Sequence, residues 1–213
     1  MSQSNNIDKM ILPDSFYQRP VLQVAQDLLG ATLITQIDGH YTSAIIVETE
    51  AYAYPNDKGS HTYNHKRTPK NESMYLSGGH IYVYKCYGVH DMFNIVVEDE
   101  GIGSAVLVRA VQPLEGIDIM QRRRGLLKSD HTLTGGPGKV CQAMGITQQY
   151  DGLKLWRDQH NIIIEAPHRP VPISCVTPRV GMSSRVAECA NWPYRFYIKS
   201  NYVSRPLTIS YDF

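Results

Sequence analysis

Two carboxylates lie near the end of a hydrophobic stretch, in residues 47–52, which read Val-Glu-Thr-Glu-Ala-Tyr. Because side chains alternate between the two faces of a β-strand, Glu48, Glu50 and Tyr52 are predicted to share one face. A carboxylate in such a position could act as a general base that takes a proton from water. A solvated strand face is the commoner result of this pattern, so the pair alone is a weak indication of a site.

Tyrosine is unusually frequent, since the chain has 14 Tyr against 4 Phe and 2 Trp. Eight of these tyrosines lie between residues 41 and 87. A buried tyrosine hydroxyl needs a hydrogen-bond partner, whereas phenylalanine fills a core without one. The cluster therefore favours a wet cleft whose rings stack on a ligand, although a tyrosine-rich strand surface would give the same composition.

Residues 82–88, Tyr-Val-Tyr-Lys-Cys-Tyr-Gly, combine a strand pattern with a turn. Tyr82 and Tyr84 are predicted to share a strand face, whereas Tyr87 breaks the alternation and precedes Gly88. Glycine here indicates a tight turn, which places Tyr87 at the tip of a hairpin. A large ring at a tip exposes apolar surface unless it inserts into a partner, as the wedges of DNA-bending and base-flipping proteins do.

His61 and His65 have the spacing of two metal ligands on one helix face. The residues that follow, through Pro69 and Lys70, do not sustain a helix, and no cysteine lies nearby in the sequence. A single His61 that stacks or hydrogen-bonds in a pocket is therefore preferred. The sequence predicts no metal site and no cofactor.

A glycine-rich turn at residues 135–139, Gly-Gly-Pro-Gly-Lys, resembles an anion-binding turn that opens a helix. Val140 follows Lys139 where a P-loop has Ser or Thr, which argues against a nucleotide triphosphatase. A DNA phosphate contact and a plain helix start both remain open for this turn. The arginine run at residues 122–124 is interpreted as compensation of a helix dipole rather than as a phosphate track.

The composition narrows the class of protein. With 213 residues, the chain is expected to fold without a disulfide or a metal ion. Its net charge of +1 excludes a histone-like protein but allows a local basic groove. The four cysteines form no Cys-x-x-Cys pair, which excludes a zinc ribbon and indicates a reducing compartment. A polar N-terminal segment and the lack of a long apolar run predict an intracellular protein without a signal peptide or membrane span.

The fold predicted from these patterns is α+β, with a flexible tail at residues 1–13 and a single mixed domain at residues 14–213. Its expected parts are a curved, mainly antiparallel sheet, flanking helices and a protruding β-hairpin. Asp38-Gly39 is a strong hairpin turn, and the aperiodic stretch 53–80 is expected to be a long functional loop. Strands are predicted at residues 31–37, 41–50, 81–86, 93–97, 105–110, 153–156, 162–165 and 194–198, and helices at residues 14–29, 114–123 and after the glycine-rich turn.

Taken in order, these segments resemble one family, the alkyladenine (3-methyladenine) DNA glycosylases of the alkylpurine and hypoxanthine type. The similarity extends over roughly residues 17–204, and each segment alone would be a weak match. The matching segments are residues 28–32, 47–52, 61, 67–71, 82–88, 93–95, 106–116, 136–143 and 177–181.

The resemblance implies a monofunctional enzyme that flips damaged purines out of double-stranded DNA and hydrolyses the N-glycosidic bond with an activated water. The purines concerned are 3-methyladenine, 7-methylguanine, hypoxanthine and ethenoadenine, and the product is an abasic site. By this resemblance Glu50 is the general base and Arg109 lies beside it, while Glu48 either orients Arg109 or faces solvent. The other implied roles are base binding at Tyr52, His61, Tyr82, Tyr84 and Asn94, and DNA contact at Tyr87, Lys139 and Arg67.

Two other functions remain open at this point. A non-enzymatic nucleic-acid binder would use the tyrosines only to stack bases, and a metal-dependent hydrolase would use Glu48, Glu50, His61 and His65. A monomer is expected, with the basic residues mainly on one face. These basic residues are Lys66, Arg67, Lys70, Lys85, Arg122, Arg123, Arg124 and Lys139. The range of accepted bases is left open by departures from the family pattern at Val89, His90, Met92 and Phe93.

Overall fold

The computed structural model describes residues 11–155, 161–167, 171–173 and 175–204. Its first two strands meet at a two-residue turn, Asp38 and Gly39, whose φ angles are 54° and 74°. Two successive positive φ angles are typical of a type I′ turn, which the Asp-Gly pair adopts readily. The hairpin predicted at this point is confirmed.

The strands in the described part of the chain are β1 (Thr32–Ile37), β2 (His40–Tyr52), β3 (Ile81–Cys86), β4 (His90–Val97), β5 (Ser104–Glu115), β6 (Ile162–Glu165), β7 (Cys175–Thr177) and β8 (Arg195–Tyr197). They form one sheet with the order β3-β4-β5-β2-β1-β6, while β8 pairs with both β2 and β7. All of these strand pairs are antiparallel, and within the described residues the sheet does not close on itself. The predicted α+β class with an antiparallel sheet is therefore confirmed.

The α-helices within the described ranges are α1 (Asp14–Tyr17), α2 (Val21–Asp27), α3 (Ile117–Arg124), α4 (His131–Thr134) and α5 (Pro137–Met144). Shorter 3-10 segments lie at Tyr63–His65, Glu72–Tyr75 and Gln148–Tyr150, and a longer one at Ser184–Asn191. The single helix predicted at residues 14–29 is wrong, because Pro20 caps α2 and separates it from α1. Proline disfavours helical geometry in the residue before it, so the two helices cannot merge.

The larger of two apolar clusters, the main core, lies on one face of the sheet and is built by strand alternation. Phe93 and Ile95 of β4 are fully buried together with Val106 and Val108 of β5. Helix α5 covers them with its apolar side, which includes Val140, Ala143 and Met144. Each of these larger side chains contributes roughly 1.5–3 kcal/mol by leaving water. The opposite face of the same strands is therefore free to carry polar side chains.

The other helices and strands predicted from the sequence differ from those of the structure mainly in the residues at which they begin and end. Strand β5 continues to Glu115, and Gly116, with a φ of 70°, caps α3, which begins at Ile117, three residues later than predicted. The strand predicted at residues 153–156 is not formed in its described part, where Lys154 makes an isolated bridge to His80. Trp156 lies outside the described residues. The sequence did not predict β7 or the 3-10 segment after it, since three residues are too few to show a period.

Residues 11–13, the described end of the predicted tail, lie against the sheet. Ile11 bridges to Glu165, and Leu12 is buried and donates its backbone N–H to the carbonyl of Ile164 at 2.9 Å. Residues 1–10 lie outside the described part of the chain. Within the part that is described, no helix has both the length and the apolar character that crossing a bilayer requires.

Candidate active site

Four adjacent strands build the floor of the candidate site on the face opposite the core. In an antiparallel sheet, directly paired residues point to the same face. Tyr82 pairs with Asn94, Asn94 with Leu107, and Leu107 with Glu50, which gives one continuous row across β3, β4, β5 and β2. The face predicted for Glu48, Glu50 and Tyr52 is thus extended by neighbouring strands into a polar surface.

A pocket of about 250 Å³ stands on this floor. Such a volume is below that of a drug-sized site, so it suits one small ring system. Loops close the sides: His61 and Gly59 come from the 53–80 loop, and Val180 and Met182 come from the segment after β7. The lining residues also include Tyr52, Met74, Tyr82, Tyr84, Cys86, Tyr87, Met92, Asn94, Ala105, Leu107, Arg109, Pro137 and Gly181.

Glu50 is fully buried and accepts three hydrogen bonds. Its Oε2 accepts from the hydroxyl of Tyr52 at 2.9 Å and from Nη1 of Arg109 at 3.3 Å. Its Oε1 accepts from the backbone N–H of Val180 at 2.7 Å. An ionised carboxylate offers about four acceptor positions, so about one position remains for a further donor such as water.

Arg109 is held between the two carboxylates that the sequence analysis singled out. Its Nε donates to Glu48 at 2.9 Å and its Nη1 donates to Glu50 at 3.3 Å. The β2–β5 pairing is irregular on both sides of Glu48, and such bulges commonly re-aim side chains next to functional sites. Burial opposes the charge of Arg109, but Glu50 and Glu48 outweigh it and raise the pKa of its guanidinium.

Glu48 orients Arg109 and does not face solvent. It is fully buried, and its Oε1 also accepts from Nε of Arg195 at 2.7 Å and from the hydroxyl of Ser204 at 2.8 Å. Its Oε2 accepts from the backbone N–H of Ser204 at 2.7 Å. Because these bonds fix Glu48, they also fix the guanidinium that bridges it to Glu50. This contact decides between the two roles that the sequence left open for Glu48.

Tyr52 faces the pocket as a neutral phenol. Burial, the charge of Glu50 and the neighbouring Tyr84 all raise its pKa well above the usual value. The hydroxyl therefore keeps its proton and donates it to Glu50 in a hydrogen bond. The ring and the carboxylate are positioned together by this bond.

Three further rings form one wall of the pocket. Tyr82 and Tyr84 stack with centroids 5.5 Å apart, and the His61 ring meets Tyr84 edge to face at 4.5 Å. Nδ1 of His61 shares a hydrogen bond of 2.7 Å with the hydroxyl of Tyr82. Burial raises the pKa of Tyr84 to about 12, while burial and then Lys66 lower the pKa of His61. All three side chains are therefore uncharged at neutral pH.

Asn94 lies on the pocket floor between Tyr82 and Leu107. It is buried, and its amide Nδ2 donates to the carbonyl oxygens of Tyr82 at 3.2 Å and Met92 at 3.0 Å. These two bonds fix the plane of the amide, and Oδ1 takes part in neither of them. The group can therefore present an acceptor to the edge of a ligand.

Tyr87 lies at the tip of the β3–β4 hairpin, as predicted. Its side chain is 94% exposed, and Tyr87 and Gly88 have φ angles of 52° and 72°. A positive φ is unfavourable for tyrosine, so the turn itself holds this residue in an uncommon conformation. The hairpin thus projects a large ring beside the mouth of the pocket, which Tyr87 also lines.

Lys139 and Arg67 occupy different surroundings. Lys139 lies in the first turn of α5, whose first residue, Pro137, lines the pocket. Arg67 lies in the 53–80 loop, where its guanidinium pairs with Glu72 at 2.5 Å and stacks over the ring of Tyr75 at 4.6 Å. The charge of Arg67 is therefore already paired with a carboxylate of its own loop.

Lysines collect along an open groove of about 1120 Å³ that adjoins the pocket at Tyr84 and Tyr87. Its basic residues are Lys58, Lys66, Lys70 and Lys85. Arg123 and Arg124 instead donate to backbone carbonyl oxygens, and Arg122 pairs with Asp118. The structure thus brings part of the predicted basic set together, whereas Arg123 and Arg124 pack around α3 and Arg122 stays exposed.

The metal-binding alternative receives no support from the arrangement of side chains. Nδ1 of His65 bonds the hydroxyl of Tyr54 at 2.5 Å, whereas His61 bonds Tyr82. Across the described residues, no three His, Cys, Asp or Glu side chains are grouped so that they could hold a metal ion.

Asp57, Val180, Arg179 and Arg195 belong to the site but were not singled out from the sequence. Val180 and Arg179 lie in the segment 177–181, which belongs to the family resemblance but had received no role. Arg195 and Asp57 are fully buried charges, and an isolated Arg or Asp in a sequence carries no mark of burial. Only the hydrogen bonds that these side chains make to residues distant in the sequence show that they belong to the site.

Known proteins are similar to this chain over most of its length. The family model described as methylpurine-DNA glycosylase matches residues 15–202. A protein of Chlamydia felis is 43% identical over 88% of this chain and 96% of its own length. Proteins of Methanocella arvoryzae and Alkaliphilus oremlandii are 39% and 40% identical, over 90% and 92% of this chain and 94% and 100% of their own lengths. All three carry the name "putative 3-methyladenine DNA glycosylase".

A family model that covers nearly all of the described residues establishes membership. The resemblance predicted from the sequence is confirmed, and with it the enzyme class, a DNA-3-methyladenine glycosylase that repairs alkylated purines. The chain belongs to the methylpurine-DNA glycosylase family.

Proposed function

We propose that this protein acts in base-excision repair as a monofunctional glycosylase that takes a flipped, damaged purine into its pocket. Its proposed substrates are 3-methyladenine, 7-methylguanine, hypoxanthine and ethenoadenine in double-stranded DNA, and its product is an abasic site. The observation that carries this proposal is the buried Glu50, which is fixed by three donors, Tyr52, Arg109 and Val180, that all line a pocket walled by uncharged aromatic rings.

In the proposed reaction Glu50 takes a proton from a water molecule held at its remaining acceptor position. The water oxygen forms a bond to C1′ of the deoxyribose as the bond from C1′ to the purine nitrogen breaks, and the electron pair of that bond stays on the purine. Arg109 keeps the carboxylate in place through the 3.3 Å bond. General-base catalysis of this kind contributes roughly 10²–10⁴-fold to a rate.

Recognition is proposed to rest on the rings rather than on base-specific hydrogen bonds. Stacking on an aromatic side chain is worth about 1–3 kcal/mol per base. A cationic alkylpurine gains roughly 0.5–2 kcal/mol more from a cation–π contact with a neutral tyrosine. Flipping costs a few kcal/mol and costs least at damaged or mismatched pairs, which favours lesions before chemistry begins. Asn94 supplies a polar group for the purine edge.

On the DNA side, Tyr87 is proposed to fill the space that the flipped base leaves, and Lys139 and the lysines of the groove to contact the backbone. Arg67 is proposed to take part through its loop, since its own charge is paired with Glu72. A monomer acting inside the cell is proposed as the active unit.

The test is single-turnover release of a base from a duplex that contains one hypoxanthine or ethenoadenine, with EDTA present. Release of 3-methyladenine from alkylated DNA is measured in parallel. We expect base release that leaves an alkali-sensitive site. Bound but uncleaved lesion DNA would instead favour the non-enzymatic binder, and activity lost on chelation would favour the metal-dependent hydrolase.

Tyr87→Ser is expected to weaken capture of the flipped base without changing stability. Because Tyr87 is 94% exposed, the free energy of unfolding should move by at most about 0.5 kcal/mol. Losing one stacking ring should lower the equilibrium for flipping by about 1–3 kcal/mol, or roughly 5- to 150-fold. The fluorescence of ethenoadenine in a duplex reports this equilibrium. Leu127→Ser, at a site 97% exposed, is the control, and equal fluorescence changes in both variants would remove the wedge role.

His61 is expected to make release of cationic bases sensitive to acid. Burial lowers the pKa of His61, so the ring is neutral at pH 7 and gains a charge only as the pH falls below its ordinary value. A like charge about 4 Å from a cationic purine opposes binding by roughly 1–4 kcal/mol. As the pH falls below the ordinary pKa of histidine, release of 7-methylguanine should therefore decrease more steeply in the wild type than in His61→Gln. Release of the neutral hypoxanthine should not show this difference, and parallel profiles for both bases would contradict the prediction.

A further inference from the structure

Arg179 is anchored to three separate segments of the chain by its guanidinium. Its Nη1 donates to the carbonyl of Ala51 at 3.0 Å, and its Nη2 donates to the carbonyl of Cys189 at 3.2 Å. Both nitrogens also donate to Asp57, at 2.5 Å and 2.7 Å, in a two-pronged pair. Two parallel hydrogen bonds between a guanidinium and a carboxylate fix orientation as well as distance.

Asp57 ties this guanidinium to the loop that carries His61. Asp57 is fully buried, and its carboxylate also accepts from the backbone N–H groups of Ala53 at 3.2 Å and Gly59 at 2.9 Å. Arg179 itself is only 4% exposed. A buried ion pair of this kind is weak evidence for stability, because desolvation offsets much of its attraction. Its position next to the pocket therefore calls for another explanation.

Arg179 supports the ring of Tyr52 from one side. The centre of the guanidinium lies 4.6 Å from the centroid of that ring. Arg179 therefore covers one face of a ring that also contributes to the pocket wall. The stacked guanidinium thus sets the plane of a wall that the proposed substrate would meet.

The residue after Arg179 holds the proposed catalytic base. The backbone N–H of Val180 donates to Oε1 of Glu50 at 2.7 Å. A peptide group next to an anchored side chain has little freedom to shift, so the contacts of Arg179 also limit movement of Glu50. One buried pair thereby controls both the ring that stacks on the base and the carboxylate that activates water.

We propose that Arg179 and Asp57 form a positioning pair that holds the Tyr52 ring and the Glu50 carboxylate in the positions required for base release. The proposal rests on the glycosylase function proposed above. Neither residue touches the substrate; each acts through Tyr52, Val180 and the loop of His61. Displacement of a reacting group by about 1 Å can lower a rate about 10²-fold. Disturbing the pair should therefore affect the chemical step more than the binding of DNA.

The test compares Arg179→Lys with wild type and with a matched control, Arg19→Lys. Lysine keeps the charge but lacks the planar fork and the stacking surface. Arg19 likewise pairs with a carboxylate, Asp27 at 2.8 Å, and stacks over a ring, Phe16 at 4.4 Å, but it lies outside the pocket lining. Single-turnover release of hypoxanthine is measured at saturating protein, where a loss of folded molecules does not change the rate constant. Affinity is measured by fluorescence anisotropy on a duplex with a non-cleavable abasic analogue.

Arg179→Lys is expected to lower the rate constant about 10- to 100-fold, while its affinity for the abasic analogue stays at the wild-type value and Arg19→Lys behaves as wild type. If Arg179→Lys does not fold, Asp57→Asn carries the same prediction, since it keeps the shape of the carboxylate. A wild-type rate constant in the folded variant overturns the positioning role and leaves the glycosylase function standing. Absence of base release by the wild type on every lesion overturns the glycosylase function and this role with it.

Discussion

Glu50→Gln is expected to lower single-turnover base release by about 10²–10⁴-fold while the protein still binds lesion DNA. Glutamine has the shape of glutamate but cannot take a proton from water. The change also removes one negative charge beside a polyanion, so affinity for an abasic analogue should be equal or higher. Measurement at saturating protein separates the two effects, because the rate constant there no longer depends on affinity.

The hydrogen-bond pattern of Glu50 predicts a modest cost in stability for the same change. All three of its partners donate, and a glutamine NH₂ group must face at least one of them. The hydroxyl of Tyr52 can rotate and accept instead, which leaves the bond from Arg109 as the one that is lost. An unpaired buried donor costs about 1–3 kcal/mol. Urea unfolding should show a decrease in this range.

Glu115→Gln is the matched control for this prediction. Glu115 lies at the exposed end of β5, far along the strand from the pocket residues Leu107 and Arg109. It should leave both the rate constant and the unfolding free energy within error of the wild type. If Glu50→Gln released hypoxanthine at the wild-type rate, the proton acceptor would have to be another group.

The candidate site could be predicted to the extent that it depends on local periodicity. Strand alternation placed Glu48, Glu50 and Tyr52 on one face, and it did the same for Tyr82 and Tyr84. Gly88 indicated the turn that exposes Tyr87. These features need only φ and ψ preferences and a period of two residues, both of which a single segment contains.

The sequence could not predict which side chains distant in the chain contact each other in the folded protein. The pair of Arg179 with Asp57 joins residues 122 positions apart, and the backbone bond from Ser204 to Glu48 spans 156 positions. No local pattern marks such contacts, because they form only when segments that are distant in the sequence have assembled. For the same reason the sequence left Glu48 between two roles, whereas in the structure this buried carboxylate pairs with two arginines.

Arg109→Gln is expected to lose both stability and activity, because Arg109 separates two buried carboxylates. Glu48 and Glu50 are fully buried, and Arg109 and Arg195 are the arginines bonded to Glu48 in the described part of the chain. Removing Arg109 leaves two negative charges against one positive charge. Breaking a buried pair on one side costs about 3–5 kcal/mol, which for a chain of this size corresponds to a decrease in Tm of roughly 6–20 °C. Base release should fall about 10²-fold, since Glu50 loses the donor that fixes it.

Adding Glu48→Gln to Arg109→Gln should restore part of the stability but none of the activity. The double variant balances Glu50 against Arg195, and Nε of Arg195 can still donate to the amide oxygen at position 48. Residues in one network couple by about 0.5–3 kcal/mol, so the double variant should unfold at higher urea than Arg109→Gln alone. Its rate constant should stay low, because the bond from Arg109 to Glu50 is still missing. A double variant that is no more stable than Arg109→Gln would show that charge balance is not what Arg109 contributes to folding. A double variant that regains the wild-type rate would show that Arg109 does not position Glu50.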